Sequence, residues 1–89
     1  MAQETLNFKI ARIHKLSSQG RLKAFVDLSI SDALIVRGLR VVDGHKGLFV
    51  SMPQEQGKDK KWYDTIRCVS RDVRTEIAQC VLKAYKEEN

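Results

Sequence analysis

Cysteine is too scarce in this chain for a disulfide framework: only Cys68 and Cys80 are present, with no C-x-x-C spacing. No apolar run approaches the roughly 18 residues of a membrane span. The opening Met1-Ala2-Gln3-Glu4-Thr5-Leu6 lacks the basic and apolar regions of a secretory signal. The expectation is a cytoplasmic protein without a membrane partner. Motifs of catalysis are missing as well: there is no P-loop, no dinucleotide fingerprint after a strand, no G-x-S-x-G and no H-E-x-x-H. His14 and His45 lie in different segments, neither with a carboxylate or cysteine at ligand spacing. No catalytic residue, cofactor or metal is expected, and the chain does not read as an enzyme.

What is present fits one small globular domain spanning 1–89, with 43% hydrophobic and 30% charged residues. A domain of this size hides only about 60 to 65% of the surface its unfolded chain exposes. Its core is therefore marginal, and oligomerisation is the expected additional source of burial. Lysine and arginine outnumber acids 16 to 11, a net charge of +5. That balance suits an anionic partner, although a merely solvated basic surface satisfies it equally.

Hydrophobic periodicity predicts strands first. In LKAFVDLSI, Leu22, Ala24, Val26, Leu28 and Ile30 share one face while Lys23, Asp27 and Ser29 take the other, which is the pattern of a half-buried strand. The preceding LNFKIARIHK alternates from Leu6 through Phe8 to Ile10 and then slips to Ile13, predicting a strand with a bulge. ALIVRGLRVV is apolar on both faces except at Arg37 and Arg40, as for a strand covered by a helix on one side and a partner chain on the other. LFVSM makes a fourth strand, stopped by Pro53. The expected strands are about 6–15, 22–30, 33–42 and 47–52, in a meander.

Between the last two stands Gly44-His45-Lys46-Gly47, a G-x-x-G. A phosphate clamp of the KH type needs that loop between helices. Here it joins strands, and Asp43 beside it would repel phosphate, so the residues read as a hairpin reversal. The stretch 54–63 has the composition of an exposed basic loop with the chain's one dense lysine cluster, and it runs into Trp62-Tyr63, whose rings are expected to be buried on at least one side. A helix over about 70–87 follows. Ser70 is its N-cap candidate, Asp72 suits the positive end of its dipole, and Val73, Ile77, Cys80, Val81 and Ala84 form the apolar stripe. Cys80 thus reads as an inert core thiol. Cys68, beside Arg67 near the helix start, sits where a thiol pKa can fall, but a structural role is preferred. Leu82 falls opposite the stripe, as either an isolated surface leucine or a dimer contact.

In order and spacing, GRLKAFVDLSI, LRVVDGHKGLFVSMP and SRDVRTEIAQCVLKAY resemble the septation protein SpoVG family from about Phe8 to Tyr85. The most specific part runs Arg40, Val41, Val42, Asp43, Gly44, Gly47, Leu48, Phe49, Val50, Met52 and Pro53, with Ser51 as the small residue. The resemblance implies an α+β domain, an antiparallel sheet of about four to five strands with a C-terminal helix, acting as a homodimer. It further implies a cytoplasmic bacterial regulator of septation, sporulation or gene expression that binds DNA or RNA and carries no catalysis. The chain departs from the pattern after Pro53. Glu55 and Gln56 stand where the family has a Lys-Arg pair, Lys58-Asp59-Lys60 replaces Pro-Asp-Gly, so that a sharp turn is expected to give way to a lysine cluster, and Arg67-Cys68 replaces His-Pro.

The expected nucleic-acid-binding residues are Lys58, Lys60, Lys61, Arg67, Arg71 and Arg74, a basic surface that a two-fold axis presents twice. Trp62 and Tyr63 are candidates for stacking on unpaired bases, against a core role for at least one. The alternative function is a protein-interaction adaptor in cell division, using a strand edge or Leu82 rather than charge.

Overall fold

The computed structural model describes residues 6–17 and 19–87; residues 1–5, 18, 88 and 89 of the expected domain lie outside them. Four strands, β1 (Phe8–Lys15), β2 (Leu22–Ile30), β3 (Leu34–Gly44) and β4 (Gly47–Ser51), form an antiparallel sheet in the order β1-β2-β3-β4. Two short strands, β5 (Gln54–Gln56) and β6 (Trp62–Asp64), pair as a separate hairpin, and α1 (Arg71–Glu87) closes the chain. The expected α+β meander and terminal helix are both there. Boundaries shift by one or two residues, with β1 starting at Phe8, β3 running from Leu34 to Gly44, β4 ending at Ser51 and the helix starting at Arg71, and the 54–63 segment is a paired hairpin around a tight turn rather than an open loop.

Cross-strand pairing sorts the sheet into two faces. The first carries Phe8, Ile10 and Ile13 of β1, Ala24, Val26 and Leu28 of β2, Leu39 and Val41 of β3, and Val50 of β4. Its centre, with Met52 just beyond β4 and Ile77 and Val81 from the helix, is the buried core. β1 changes register between Ile10 and Arg12, which returns Ile13 to the core side after the predicted slip. A second irregularity lies between Val26 and Leu28, opposite Gly38. There Gly38 takes φ +88°, and its N–H donates to Asp27 Oδ1 at 3.3 Å, so a half-buried carboxylate caps the bulge. Few side chains other than glycine hold that backbone conformation without strain.

The helix follows the predicted stripe at Val73, Ile77, Cys80 and Val81, but Ala78, Leu82 and Tyr85 rather than Ala84 complete it. Ser70 Oγ accepts from the Val73 N–H at 3.3 Å, satisfying one of the first-turn donors, and Asp72 lies in that turn. Ile77 and Val81 are buried against the sheet, each stabilising by about 1.5–3 kcal/mol relative to exposure. Val73, Cys80, Leu82 and Tyr85 pack around them. Leu82 is therefore a half-buried contributor to the chain's own core, not a leucine isolated on the far face. At the helix end, Lys15 Nζ sits 4.7 Å from the centroid of the Tyr85 ring and ties α1 to β1. The Cys80 Sγ reaches the Phe8 carbonyl at 3.7 Å, and burial pushes its thiol pKa up, consistent with an inert core role. Among the described residues, no helix is long and apolar enough to cross a membrane.

Among the described residues, no element covers the second face of the sheet. The expected two-sided burial of β3 is half met: Leu39 and Val41 are buried, whereas Ile35 is 54% exposed on the other side. The β5–β6 hairpin projects as an arm. It supplies no residue to the described core, and the Cα radius of gyration of 13.8 Å exceeds the ~12 Å of a compact chain this long.

Candidate nucleic-acid interface

The arm is a self-contained piece of structure. Its ladder pairs Gln54 with Asp64, Glu55 with Tyr63 and Gln56 with Trp62. At its base the Pro53 carbonyl accepts from both the Thr65 N–H at 2.8 Å and the Thr65 hydroxyl at 3.2 Å. At its tip the Lys60 N–H donates to the Gly57 carbonyl at 3.0 Å and the Gly57 N–H to the Lys61 carbonyl at 2.8 Å. Lys60 sits at φ +68°, the left-handed position of a three-residue hairpin loop. The sharp turn expected to be lost with Pro-Asp-Gly is thus retained, with Lys60 in the conformation glycine adopts most easily. The bonds of Asp59 and Gln56 to the loop explain how: Asp59 Oδ1 accepts from the Lys61 N–H at 3.0 Å, and the Gln56 side chain donates to the Lys60 carbonyl at 3.2 Å.

Asp59 is engaged a second time by the Tyr63 hydroxyl. That bond, and then the Lys61 amide, hold the Asp59 carboxyl below the usual carboxylate range, while the same carboxylate pushes the Tyr63 hydroxyl up. The single acid of the tip is thus exposed but engaged by the arm's own donors, between three exposed lysines, Lys58, Lys60 and Lys61.

The arginines stand elsewhere. Arg67 is exposed in the linker after the arm, and Arg71 and Arg74, also exposed, are neighbours at i and i+3 on the first turn of α1. Three-residue strands put the lysine tip about 10 Å from the arm's base. The six expected residues therefore form two groups, a lysine tip and an arginine shoulder. Glu55 and Gln56, in place of the family's basic pair, are exposed strand residues of the arm.

Trp62 and Tyr63 depart from the core expectation. They are 55% and 51% exposed, because the arm packs its strands on one another and on no second layer. The linker beyond is equally bare: Val69 is 96% exposed and Ile66 is exposed as well, while Cys68 between them turns in against the core.

The G-x-x-G is the predicted reversal, with Gly44 paired to Gly47 across His45 and Lys46. Gly47 takes the positive φ, +114°. Gly44 serves differently: a Cβ there would lie 2.9 Å from a ring carbon of Phe49, so the glycine leaves that ring room in its present position. Phe49 itself points to the uncovered side of the sheet.

That uncovered face holds residues that the sequence pattern alone does not single out. One cross-strand row runs His14, Phe25, Arg40 and Ser51 through all four strands of the sheet, and another joins Leu22, Val42 and Phe49, a register shift between Leu22 and Ala24 having taken Leu22 off the face its alternation predicts. Arg40 stacks its guanidinium over Phe25, 5.9 Å from the ring centroid. Phe25 is legible in LKAFVDLSI as the apolar residue on the polar side of the alternation.

The SpoVG family model matches residues 7–87. A protein from Archaeoglobus fulgidus bearing the name septation protein SpoVG is 44% identical over 77 residues, covering 86% of this chain and 91% of its own length. Proteins of the same name from Staphylococcus carnosus and from Staphylococcus aureus strain JH9 are 40% and 37% identical, each over 85% of this chain and over 71% and 76% of their own lengths.

Proposed function

The chain belongs to the SpoVG family, and from that premise we propose that it is a dimeric nucleic-acid-binding regulatory protein acting in septation, with no enzymatic activity of its own. The observation that carries the binding half is the arm: three exposed lysines on a turn whose one carboxylate is bonded to the arm's own Lys61 N–H and Tyr63 hydroxyl. A point charge held on a projecting, backbone-bonded tip reaches phosphate without a groove being preformed around it. Arg67, Arg71 and Arg74 add a second group of donors, and a dimer doubles both. Dimerisation rests on the small core and on the bare apolar side chains of the linker and arm, Trp62, Ile66 and Val69, which a second copy would cover. Sedimentation showing a monomer at micromolar concentration counts against it. The same side chains favour the second reading, an adaptor that grips another division protein without nucleic acid. A cytoplasmic location is part of the proposal.

Fluorescence anisotropy with labelled DNA and RNA across a salt series tests the binding. Each phosphate that is no longer neutralised flattens the logarithmic salt dependence by about 0.9 on duplex DNA and 0.7 on single strands. The variant with Lys58, Lys60 and Lys61 all changed to Glu is expected to bind more weakly and with a flatter slope. Unchanged affinity in that variant removes the arm as the binding surface. A protein complex that survives high salt while nucleic acid dissociates points to the adaptor.

A further inference from the structure

The uncovered face of the sheet shows aromatic rings and cations interleaved on one rigid surface. Phe25 is 36% exposed and Phe49 49%, on the central strand β2 and the edge strand β4. Phe25 lies under the Arg40 guanidinium, and the Phe49 ring lies over Gly44, where a Cβ would approach it to 2.9 Å. Beside Phe25, a shallow cleft of about 280 Å³ is lined by Arg12, His14, Phe25 and Asp27. Asp27 is the one carboxylate in the cross-strand rows of this face among the described residues, and the Gly38 N–H and Arg37, 3.9 Å away, already engage it. Arg12 and Arg40 are in no ion pair among the described residues.

We infer that this face is a platform for single-stranded nucleic acid, with bases stacked on Phe25 and Phe49 and the backbone phosphates met by Arg12 and Arg40. The inference rests on the nucleic-acid reading above and adds to it a site and a strand state. Exposed aromatics on a four-stranded antiparallel sheet offer flat apolar area to any unpaired base, and a duplex, whose bases are already stacked, gains nothing from them. The charge favours this occupant over a second copy of the chain. A second copy on this face doubles Arg12 and Arg40 across one interface and, among the described residues, adds no carboxylate to it but Asp27, which the Gly38 N–H and Arg37 already engage. An anionic strand meets the same arginines with the opposite sign.

The test uses the full chain, a labelled oligothymidine of about 12 nucleotides, within the span one small domain covers, and the matching duplex. Phe25→Leu combined with Phe49→Leu keeps the apolar bulk and removes the flat rings; single-strand affinity is expected to fall roughly tenfold or more, with duplex affinity unchanged. Arg40→Gln, which leaves both rings in place, serves if the double variant melts early, and it too lowers single-strand affinity selectively. The lysine-to-glutamate arm variant weakens both ligands, so the two sites separate. Wild-type affinity for oligothymidine in the leucine and glutamine variants overturns the platform while leaving the nucleic-acid reading intact. So does a change from dimer to monomer that weakens both ligands equally, since it makes the face a self-association surface. Failure of the wild type to bind either ligand overturns both.

Discussion

Replacing Lys60 by glycine separates the two things this residue does. Its φ of +68° closes the turn in which Gly57 and Lys61 are bonded, and its side chain supplies one of the tip's charges. Holding a residue with a Cβ in the left-handed region costs ~1–2 kcal/mol, and glycine's extra freedom in the open chain returns ~0.4–1 kcal/mol of that. The net expectation for Lys60→Gly is an arm more stable by about 0.5–1 kcal/mol. Because the arm adds no residue to the core, global unfolding is a poor reporter, and exchange of the Gly57 amide is the direct one. It should slow about two- to fivefold. Lys60→Ala removes the same charge but keeps the strain, and is expected to exchange close to the wild-type rate. Both variants should lose nucleic-acid affinity together. Gly57 exchange that is unchanged or faster in Lys60→Gly would refute the claim that the turn is strained at this position.

Leu39, 1% exposed at the centre of the core, should cost about 2–5 kcal/mol when cut to alanine, measured by denaturant unfolding; a loss under about 1 kcal/mol would mean that the helix does not lie on this face. The Asp59–Tyr63 bond gives the arm a pH window. The folded pKa of Asp59 lies below its ordinary 3.8, so its stabilisation is complete above that value and is lost as pH falls through the depressed pKa. The folded pKa of Tyr63 lies above 10.0, so its part is complete below pH 10.0 and is lost as pH rises through the raised value. Asp59→Asn should bring the Tyr63 titration, followed by NMR of its ring, back toward 10.0, and no movement there would exclude the bond in solution.

Period-two alternation makes β2 readable because one of its faces is wholly apolar, and the slip at Ile10 to Ile13 announces the bulge in β1. The helix is readable for the same reason, a stripe with a cap in front. Leu82 is misplaced by the sequence because helical spacing alone does not tell how far around the helix a small sheet reaches. The arm is hidden by composition. Gln54 to Lys61 has none of the β-branched or aromatic residues that mark a strand, and its pairing is set by a turn whose left-handed residue is a lysine. Lys58, Lys60, Lys61, Arg67, Arg71 and Arg74 are visible as charges, but not their division into two groups, which depends on the arm's length. Arg12, Phe25, Arg40 and Phe49 come together only once register is known, since they lie on different strands at unrelated spacings.

The separateness of the arm also bears on how such a protein can change over generations. Side chains at its tip answer to a few local bonds and to nothing in the core, so a new lysine or a missing Lys-Arg pair there leaves the sheet and helix undisturbed. The body can stay fixed while the tip drifts in charge. Ligand preference in this architecture can therefore diverge faster than the fold that carries it.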